Sequence, residues 1–309
     1  MTTSRGIEQS AAALRAGKLI ILPTETVYGL AADAANSAAV AALYEAKGRP
    51  RFNPLIAHVL DIPAARAIAR LDERAEILAR AFWPGPLTFV LPVREGGAVC
   101  DLARAGLDTV AVRAPAHPLA RAVLEAFGGP VVAPSANRSG RPSPTTLADA
   151  MAETGPFAAT ALDGGPCAVG LESTVIALLD RPPRLLRPGA VTRAQIETLI
   201  GPLAEADADA KRSPGRLARH YAPAAPVRLG VTEPNEGEAW LAFGPALEGP
   251  GVFNLSPLGD LAQAAANLFA FLRAADALAP AAIAVAPIPE EGLGEAINDR
   301  LRRAAGHVG

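Results

Sequence analysis

Lys18-Leu19-Ile20-Ile21-Leu22-Pro23-Thr24-Glu25-Thr26-Val27-Tyr28-Gly29 sets a pattern that the rest of the chain repeats. An apolar run too short for a helix is stopped by proline, and a loop of two hydroxyls, a carboxylate and a phenol follows at once. Upstream, Ile7 and Leu14 among alanines predict a short helix over 7–16 that Gly17 ends. Downstream, Ser37 can cap a helix running to Ala46, and Gly48, Pro50, Asn53 and Pro54 then force a loop before a strand over 55–59.

The alternation continues outward. Two amphipathic helices fall within 63–82, Trp83-Pro84-Gly85-Pro86 makes a turn, and 87–93 reads as a strand. Further strands are expected at 109–113, 131–133, 159–162, 173–178 and 185–187, with helices at 117–127, 145–152 and 192–200. Because some strands follow one another directly while others are separated by helices, the fold class is α/β with a twisted, mixed parallel and antiparallel sheet. That domain spans 1–200. Over 201–226 polarity rises, and Ser213-Pro214-Gly215 and Ala222-Pro223-Ala224-Ala225-Pro226 mark an interdomain linker. Strands at 227–231, 239–243 and 283–285 with helices at 260–278 and 293–305 then make 227–309 a small C-terminal α/β domain of Rossmann-like type.

Composition agrees. The 309 residues are 50% hydrophobic and 19% charged, which suits two globular domains and excludes wholesale disorder. Lys plus Arg number 29 against 31 Asp plus Glu, so with a net charge of −2 no global field draws the chain to nucleic acid or anionic lipid. The most apolar stretch, 261–289, is broken by Arg273, Asp276 and prolines, which excludes a membrane-spanning helix there. The first thirty residues lack the layout of a signal peptide, and the chain is expected to be cytoplasmic. Cys100 and Cys167 stand alone, without the spacing of a disulfide framework or a zinc site. Lysine occurs only at 18, 47 and 211 in a chain that otherwise uses arginine for positive charge.

No phosphate-binding P-loop, dinucleotide fingerprint, zincin helix or nucleophile elbow is present. What remains are polar loops at strand ends, where open α/β sheets place ligands. The 23–29 loop could hydrogen-bond a small polar ligand or simply cap itself. Lys47-Gly48-Arg49-Pro50-Arg51 concentrates three cations, either as a phosphate clamp or as a solvated basic loop. His58 closes its strand, in a place that suits a structural histidine or a catalyst. Arg113 ends the 109–113 strand, 133–143 offers hydroxyls, an amide and arginines, Gly170-Leu171-Glu172-Ser173-Thr174 follows a glycine-rich bend, and Arg187 ends another strand. No nucleophile stands beside a base. The set suits a reaction in which the protein positions and neutralises charged substrates, such as nucleotidyl transfer.

Taken in order, Pro23 to Gly29, Lys47-x-Arg49 with Asn53-Pro54-Leu55-Ile56 and His58, Trp83-Pro84-Gly85-Pro86-Leu87-Thr88, Val112-Arg113-x-Pro115, Pro134-Ser135-Ala136-Asn137, Glu172-Ser173-Thr174 and Leu186-Arg187-Pro188-Gly189 resemble the YrdC-like family of threonylcarbamoyl-AMP synthases. The resemblance covers 7–200. Ser213-Pro214-Gly215 with His220-Tyr221-Ala222-Pro223 resembles the linker of its two-domain members, except that Arg216 stands where an apolar Met is common. The resemblance implies an enzyme that joins L-threonine, bicarbonate and ATP, with Mg²⁺, into threonylcarbamoyl-AMP and pyrophosphate, and supplies downstream tRNA threonylcarbamoyl transfer proteins. It implies that Thr26, His58, Arg113 and Ser173 contact threonine. Arg49, Asn53, Thr109, Ser135, Ser143 and Arg187 would hold ATP, Lys47 and Asn137 would complete the wall around its phosphates, and Tyr221 would reach over the nucleotide. Lys47 and Arg49 are the expected catalytic cations, and the linker is an expected lid that excludes water.

Two other classes compete. An RNA-binding module would use the arginines at 49–51 and 138–141, although 5% aromatics leaves little for base stacking, and a weak RNA contact could accompany the enzyme. A carbamoyl-adenylate-forming hydrogenase-maturation enzyme shares the YrdC-like domain but adds zinc-finger cysteine pairs that two lone cysteines cannot supply.

Overall fold

A computed structural model of the chain describes residues 3–205, 221–246 and 248–306. The first part contains, in order, α1 (Thr3–Arg15), β1 (Leu19–Leu22), β2 (Gly29–Asp33), α2 (Ser37–Lys47), β3 (Ile56–His58), α3 (Ile62–Arg66), α4 (Glu73–Phe82), β4 (Leu87–Pro92) and β5 (Thr109–Arg113). It continues through α5 (Pro118–Phe127), β6 (Val131–Val132), α6 (Leu147–Thr154), β7 (Ala158–Ala161), β8 (Thr174–Ala177), β9 (Arg184–Arg187), α7 (Arg193–Ile200) and β10 (Ala204–Glu205). These strands form one sheet in the order β10-β9-β8-β4-β5-β3-β6-β2-β1-β7. Parallel pairs such as β3 with β5 and β4 with β8 alternate with antiparallel ones such as β4 with β5 and β8 with β9, which is the mixed sheet expected.

Alternation along the strands sorts side chains between faces. Phe89, Leu91, Val110, Val112 and Ile176 enter the main core with α2 and α4, while Val90, Ala111, Val175, Ala177 and Leu186 form a small cluster on the other face of the same strands. Further along the sheet, Leu14 of α1 and Val123 and Leu124 of α5 cover Ile20, Leu22 and Ala31. The helix over 37–47 is capped by Asn36, whose side chain accepts from Ala38 and Ala39, rather than by Ser37.

The second part holds β11 (Val227–Arg228), β12 (Ala239–Ala242), β13 (Val252–Asn254), α8 (Leu261–Ala277), β14 (Ile283–Val285) and α9 (Leu293–Ala304). Its four strands, ordered β11-β14-β12-β13, are all parallel. The core of this part also takes in Val27 and Leu171 from the first part, together with Tyr221. Gly170, at φ +71°, lies so close to α8 that a Cβ there would stand 2.5 Å from Ala266 Cα. Two parts therefore share one packed seam. Among the described residues no helix is long and apolar enough to cross a membrane, and both cysteines are free.

Candidate active site

One edge of the large sheet gathers the chemistry. His58 and Arg113 are paired neighbours at the ends of the parallel strands β3 and β5. Because β4 runs antiparallel to β5, and β8 parallel to β4, the segments just before β4 and β8 lie at the same edge, bringing Gly85 and Ser173 there. Arg187 ends β9, antiparallel to β8. Thr26, Arg49, Ser135 and Tyr221 arrive from loops, and with His58, Arg113, Ser173 and Arg187 they line a single narrow cleft with about 60 Å³ of free volume. Strand-end loops that are far apart in sequence thus share one hollow.

Arg113 is buried and held on three sides. Nη2 donates to Glu25 Oε1 at 2.6 Å, Nη1 to Thr26 Oγ1 at 2.9 Å and Nε to the Gly85 carbonyl at 3.2 Å. A guanidinium has five N–H groups, so two remain for a ligand. Burial pushes the Glu25 carboxyl up, but the charge and hydrogen bond of Arg113, with the Ala116 amide, outweigh it and hold Glu25 below its ordinary value. Thr24 makes the 23–29 loop cap itself, donating to the Val27 carbonyl at 2.7 Å and accepting from Val27 N–H at 3.2 Å. The self-capped turn and the ligand loop are one object, since the cap sets Thr26 against Arg113. His58 is buried, its Nδ1 lies 3.2 Å from the Ile56 carbonyl, and burial together with Arg113 pushes its pKa down to about 3. The ring is neutral at ordinary pH.

Arg49, half-buried, and Arg187, buried, differ from the buried Arg113 and Arg300. Arg49 donates to the carbonyls of Asn53 and Pro54, at 3.3 and 3.0 Å, beside the Tyr44 hydroxyl. Arg187 donates to the Ser173 carbonyl at 3.1 and 2.9 Å and to Ser173 Oγ at 3.3 Å. Among the described residues neither has a carboxylate at ion-pair distance. Burial, and for Arg49 the charge of Arg187, lower the Arg49 pKa to about 10, and burial lowers that of Arg187 too. Two cations in one cleft with no carboxylate at ion-pair distance are costly, by several kcal/mol per ion in general when such ions are buried. A bound anion would relieve that cost.

Apart from Tyr221, the remaining described residues expected from sequence lie around the cleft rather than on its lining. Lys47 is buried and its Nζ donates to the carbonyls of Ser135 and Asn137, so it pins the 135–137 segment instead of offering an open phosphate contact. Burial and the neighbouring Arg49 push its pKa well below the ordinary lysine value. Asn137 donates to the carbonyls of Arg138 and Arg141 at 2.7 and 2.9 Å. Its Oδ1, like that of Asn53, is buried with no hydrogen-bond partner among the described residues. Ser143 Oγ donates to Glu172. Thr109 begins β5, on the same face as Arg113 and roughly 13 Å along the strand from it at the usual rise. Tyr221, at φ +62°, lines the cleft and tilts against Phe269 with ring centroids 5.2 Å apart. Ser213-Pro214-Gly215, Arg216 and His220 lie outside the described residues.

Glu25 and Glu172 stand in loops that the sequence marks but to which it gives no role for their carboxylates, and Arg300 was not singled out. Arg300 lies far beyond the recognisable loops, yet it is fully buried and its Nε donates to Glu172 Oε2 at 3.0 Å.

Comparison with known proteins adds to this geometry. Residues 12–189 match the model of the Sua5/YciO/YrdC family, described as telomere recombination, and 191–306 match that described as threonylcarbamoyl-AMP synthase, C-terminal domain. The threonylcarbamoyl-AMP synthase of Bacillus subtilis (strain 168) is 40% identical over 327 residues, covering 99% of this chain and 94% of that one. The protein of the same name from Pyrococcus abyssi is 41% identical over 325 residues, covering 97% and 94%. A crystal structure of P. abyssi Sua5 complexed with L-threonine has a TM-score of 0.90 at 39% identity, covering 97% of this chain and 94% of that chain.

Proposed function

The chain belongs to the Sua5/YciO/YrdC family of threonylcarbamoyl-AMP synthases, and from that membership and the cleft we propose that it joins L-threonine, bicarbonate and ATP into threonylcarbamoyl-AMP and pyrophosphate. The observation that carries the reading is the pair Arg49, half-buried, and Arg187, buried, which share one cleft and are hydrogen-bonded to carbonyl and hydroxyl oxygens. That is a site in want of a polyanion.

In this reading the carboxylate of threonine takes the two N–H groups that Arg113 leaves, within reach of Thr26, His58 and Ser173. Glu25 holds Arg113 in orientation. His58, neutral, can donate from one nitrogen and accept at the other. The threonine amine and bicarbonate give a carbamate and water, and a carbamate oxygen then displaces pyrophosphate from the α-phosphorus. The protein supplies proximity and charge compensation rather than a covalent intermediate. Arg49, Arg187 and Ser135 face the nucleotide, Asn53 and Ser143 support its loops, and Thr109 could reach only a distal part of it. Tyr221 closes the cleft on the side of the C-terminal domain.

Mg²⁺ fits only as a passenger on the triphosphate. Among the described residues no group of three His, Cys, Asp or Glu could hold a metal, and the carboxylates of Glu25 and Glu172 are engaged by Arg113 and Arg300. The orphaned amide oxygens of Asn53 and Asn137 are hard donors of the kind that Mg²⁺ accepts beside phosphates. Bound there with ATP, the ion would stabilise the charge of the departing pyrophosphate.

The same reading makes 1–200 the catalytic domain, 201–226 the linker and 227–309 the C-terminal domain, places the enzyme in the cytoplasm, and sends its product to tRNA threonylcarbamoyl transfer proteins. Pyrophosphate release that requires threonine and bicarbonate together tests it. Release indifferent to either co-substrate contradicts it. The RNA-binding alternative, and a weak RNA contact beside the enzyme, gain no support from the cleft, where Arg187 is buried and Arg49 half-buried rather than openly displayed.

A further inference from the structure

Two arginines of the C-terminal part reach across the seam to the 138–143 loop. Arg273, on α8, donates from Nη1 to Glu153 Oε1 at 3.0 Å and from Nη2 to the Pro142 carbonyl. Glu153 in turn accepts the backbone N–H of Arg138 at 3.1 Å. Arg300, on α9, donates to Glu172 and, from Nη1, to the Pro188 carbonyl at 2.8 Å, while the other carboxylate oxygen of Glu172 accepts Ser143 Oγ–H. Between them the Ala222 N–H donates to the Gly140 carbonyl at 2.8 Å. The first part holds the loop through Asn137, through Ser139, whose N–H donates to the Lys47 carbonyl at 2.8 Å, and through Glu153, which also pairs with Arg141 Nε at 3.2 Å. Residues 140 and 142 are held directly from beyond the seam, and 143 through Glu172, which Arg300 engages.

We propose that Arg273 and Arg300 are positioning residues, which act through Glu153 and Glu172 to set the 138–143 loop and Ser143 against the nucleotide cleft. The C-terminal domain is then a structural wall of the catalytic site, complete only when docked. Docking does not need these charges. Val27, Leu171, Tyr221 and Leu268 already share an apolar core across the seam. Buried ion pairs add little net stability compared with apolar packing but fix geometry, because each charge must meet its partner. Arg300 uses a planar fork to serve a carboxylate, a carbonyl and Asp299 together, a task that lysine cannot repeat.

The inference rests on the nucleotide reading for its consequence, not for its contacts, and the test separates the two. Arg273→Met and Arg300→Met are made in the full chain, with Arg302→Ala as control, since Arg302 is exposed on α9 and paired with Glu290. Amide hydrogen exchange over 138–143 and affinity for a non-hydrolysable ATP analogue are measured well below the melting transition. Faster exchange across the loop and roughly tenfold to hundredfold weaker binding are expected in both variants, with the control unchanged. Exchange and affinity equal to wild type, even with a lowered melting temperature, would show a merely structural pair and overturn the proposal. Should a Met variant not fold, Arg273→Lys and Arg300→Lys are judged by the same readouts. If the wild type binds no analogue, the nucleotide reading fails, and loop exchange alone decides the brace.

Discussion

Arg49 and Lys47 are neighbours in sequence with opposite ledgers. Arg49 is a half-buried cation with no carboxylate at ion-pair distance, so Arg49→Met is expected to leave the melting temperature unchanged or raised while nucleotide binding falls by at least about a hundredfold. Lys47→Met leaves two buried carbonyls unpaired, each costing about 1–3 kcal/mol, and is expected to lower the melting temperature by roughly 5 °C or more. Thermal denaturation beside calorimetric titration checks both, and a stable Lys47→Met with lost binding would restore the direct phosphate role. His58 is expected to stay neutral from pH 8 to 5, with an imidazole NMR signal flat over that range, whereas a midpoint near 6.5 would contradict its burial. Its folded pKa of about 3 lies below the unfolded 6.5, so the unfolded chain takes up the proton first as pH falls. Stability from this group is therefore full above 6.5 and declines toward 3. At this scale the sequence displayed the residue types but not their targets. Nothing near Lys47 foretells bonds to carbonyls some ninety positions away, or a Glu172 partner at 300.

Among elements, most helices and strands were legible because their apolar periods are clean, with 109–113 and 283–285 matching strand for strand. β2, Gly29-Leu30-Ala31-Ala32-Asp33, escaped because it has no β-branched or aromatic residue, and it is a strand through pairing with β1 and β6. β13 escaped as three residues between turns. Packing of the strand-end loops was equally invisible. Gly189 lies against the segment before β8, where a Cβ would stand 2.4 Å from Thr174 N and 2.8 Å from the Glu172 carbonyl. Gly189→Ala must move backbone on one side or the other, and overpacking of this kind costs about 1–3 kcal/mol. A melting temperature lower by roughly 3–10 °C, with KM raised for both threonine and ATP, is expected. An unchanged KM would mean that Ser173 and Arg187 do not act as one unit.

The described residues form a large mixed sheet and a small parallel one joined by a shared core and three ion pairs, Arg273–Glu153, Arg300–Glu172 and Arg193–Glu295. Unfolding of the whole molecule is expected to give a single calorimetric transition, and two resolved transitions would show that the seam is weaker than its packing implies. Composition alone had made the C-terminal domain a separate unit of open role, because nothing in its sequence looks like an active-site loop. Its contribution is spatial, through Tyr221, Arg273 and Arg300, and spatial contributions from a domain without a motif leave no local pattern to read. The cleft itself was legible, since each of its loops begins where an apolar strand stops and sheet geometry brings those ends to one edge. The most direct measurement of the central claim is mass spectrometry of the product formed from ATP, Mg²⁺, threonine and ¹³C-labelled bicarbonate. The account predicts an adenylate that carries threonine and one labelled carbon, formed one for one with pyrophosphate. An adenylate of threonine without the label, or pyrophosphate with no adenylate, would contradict it.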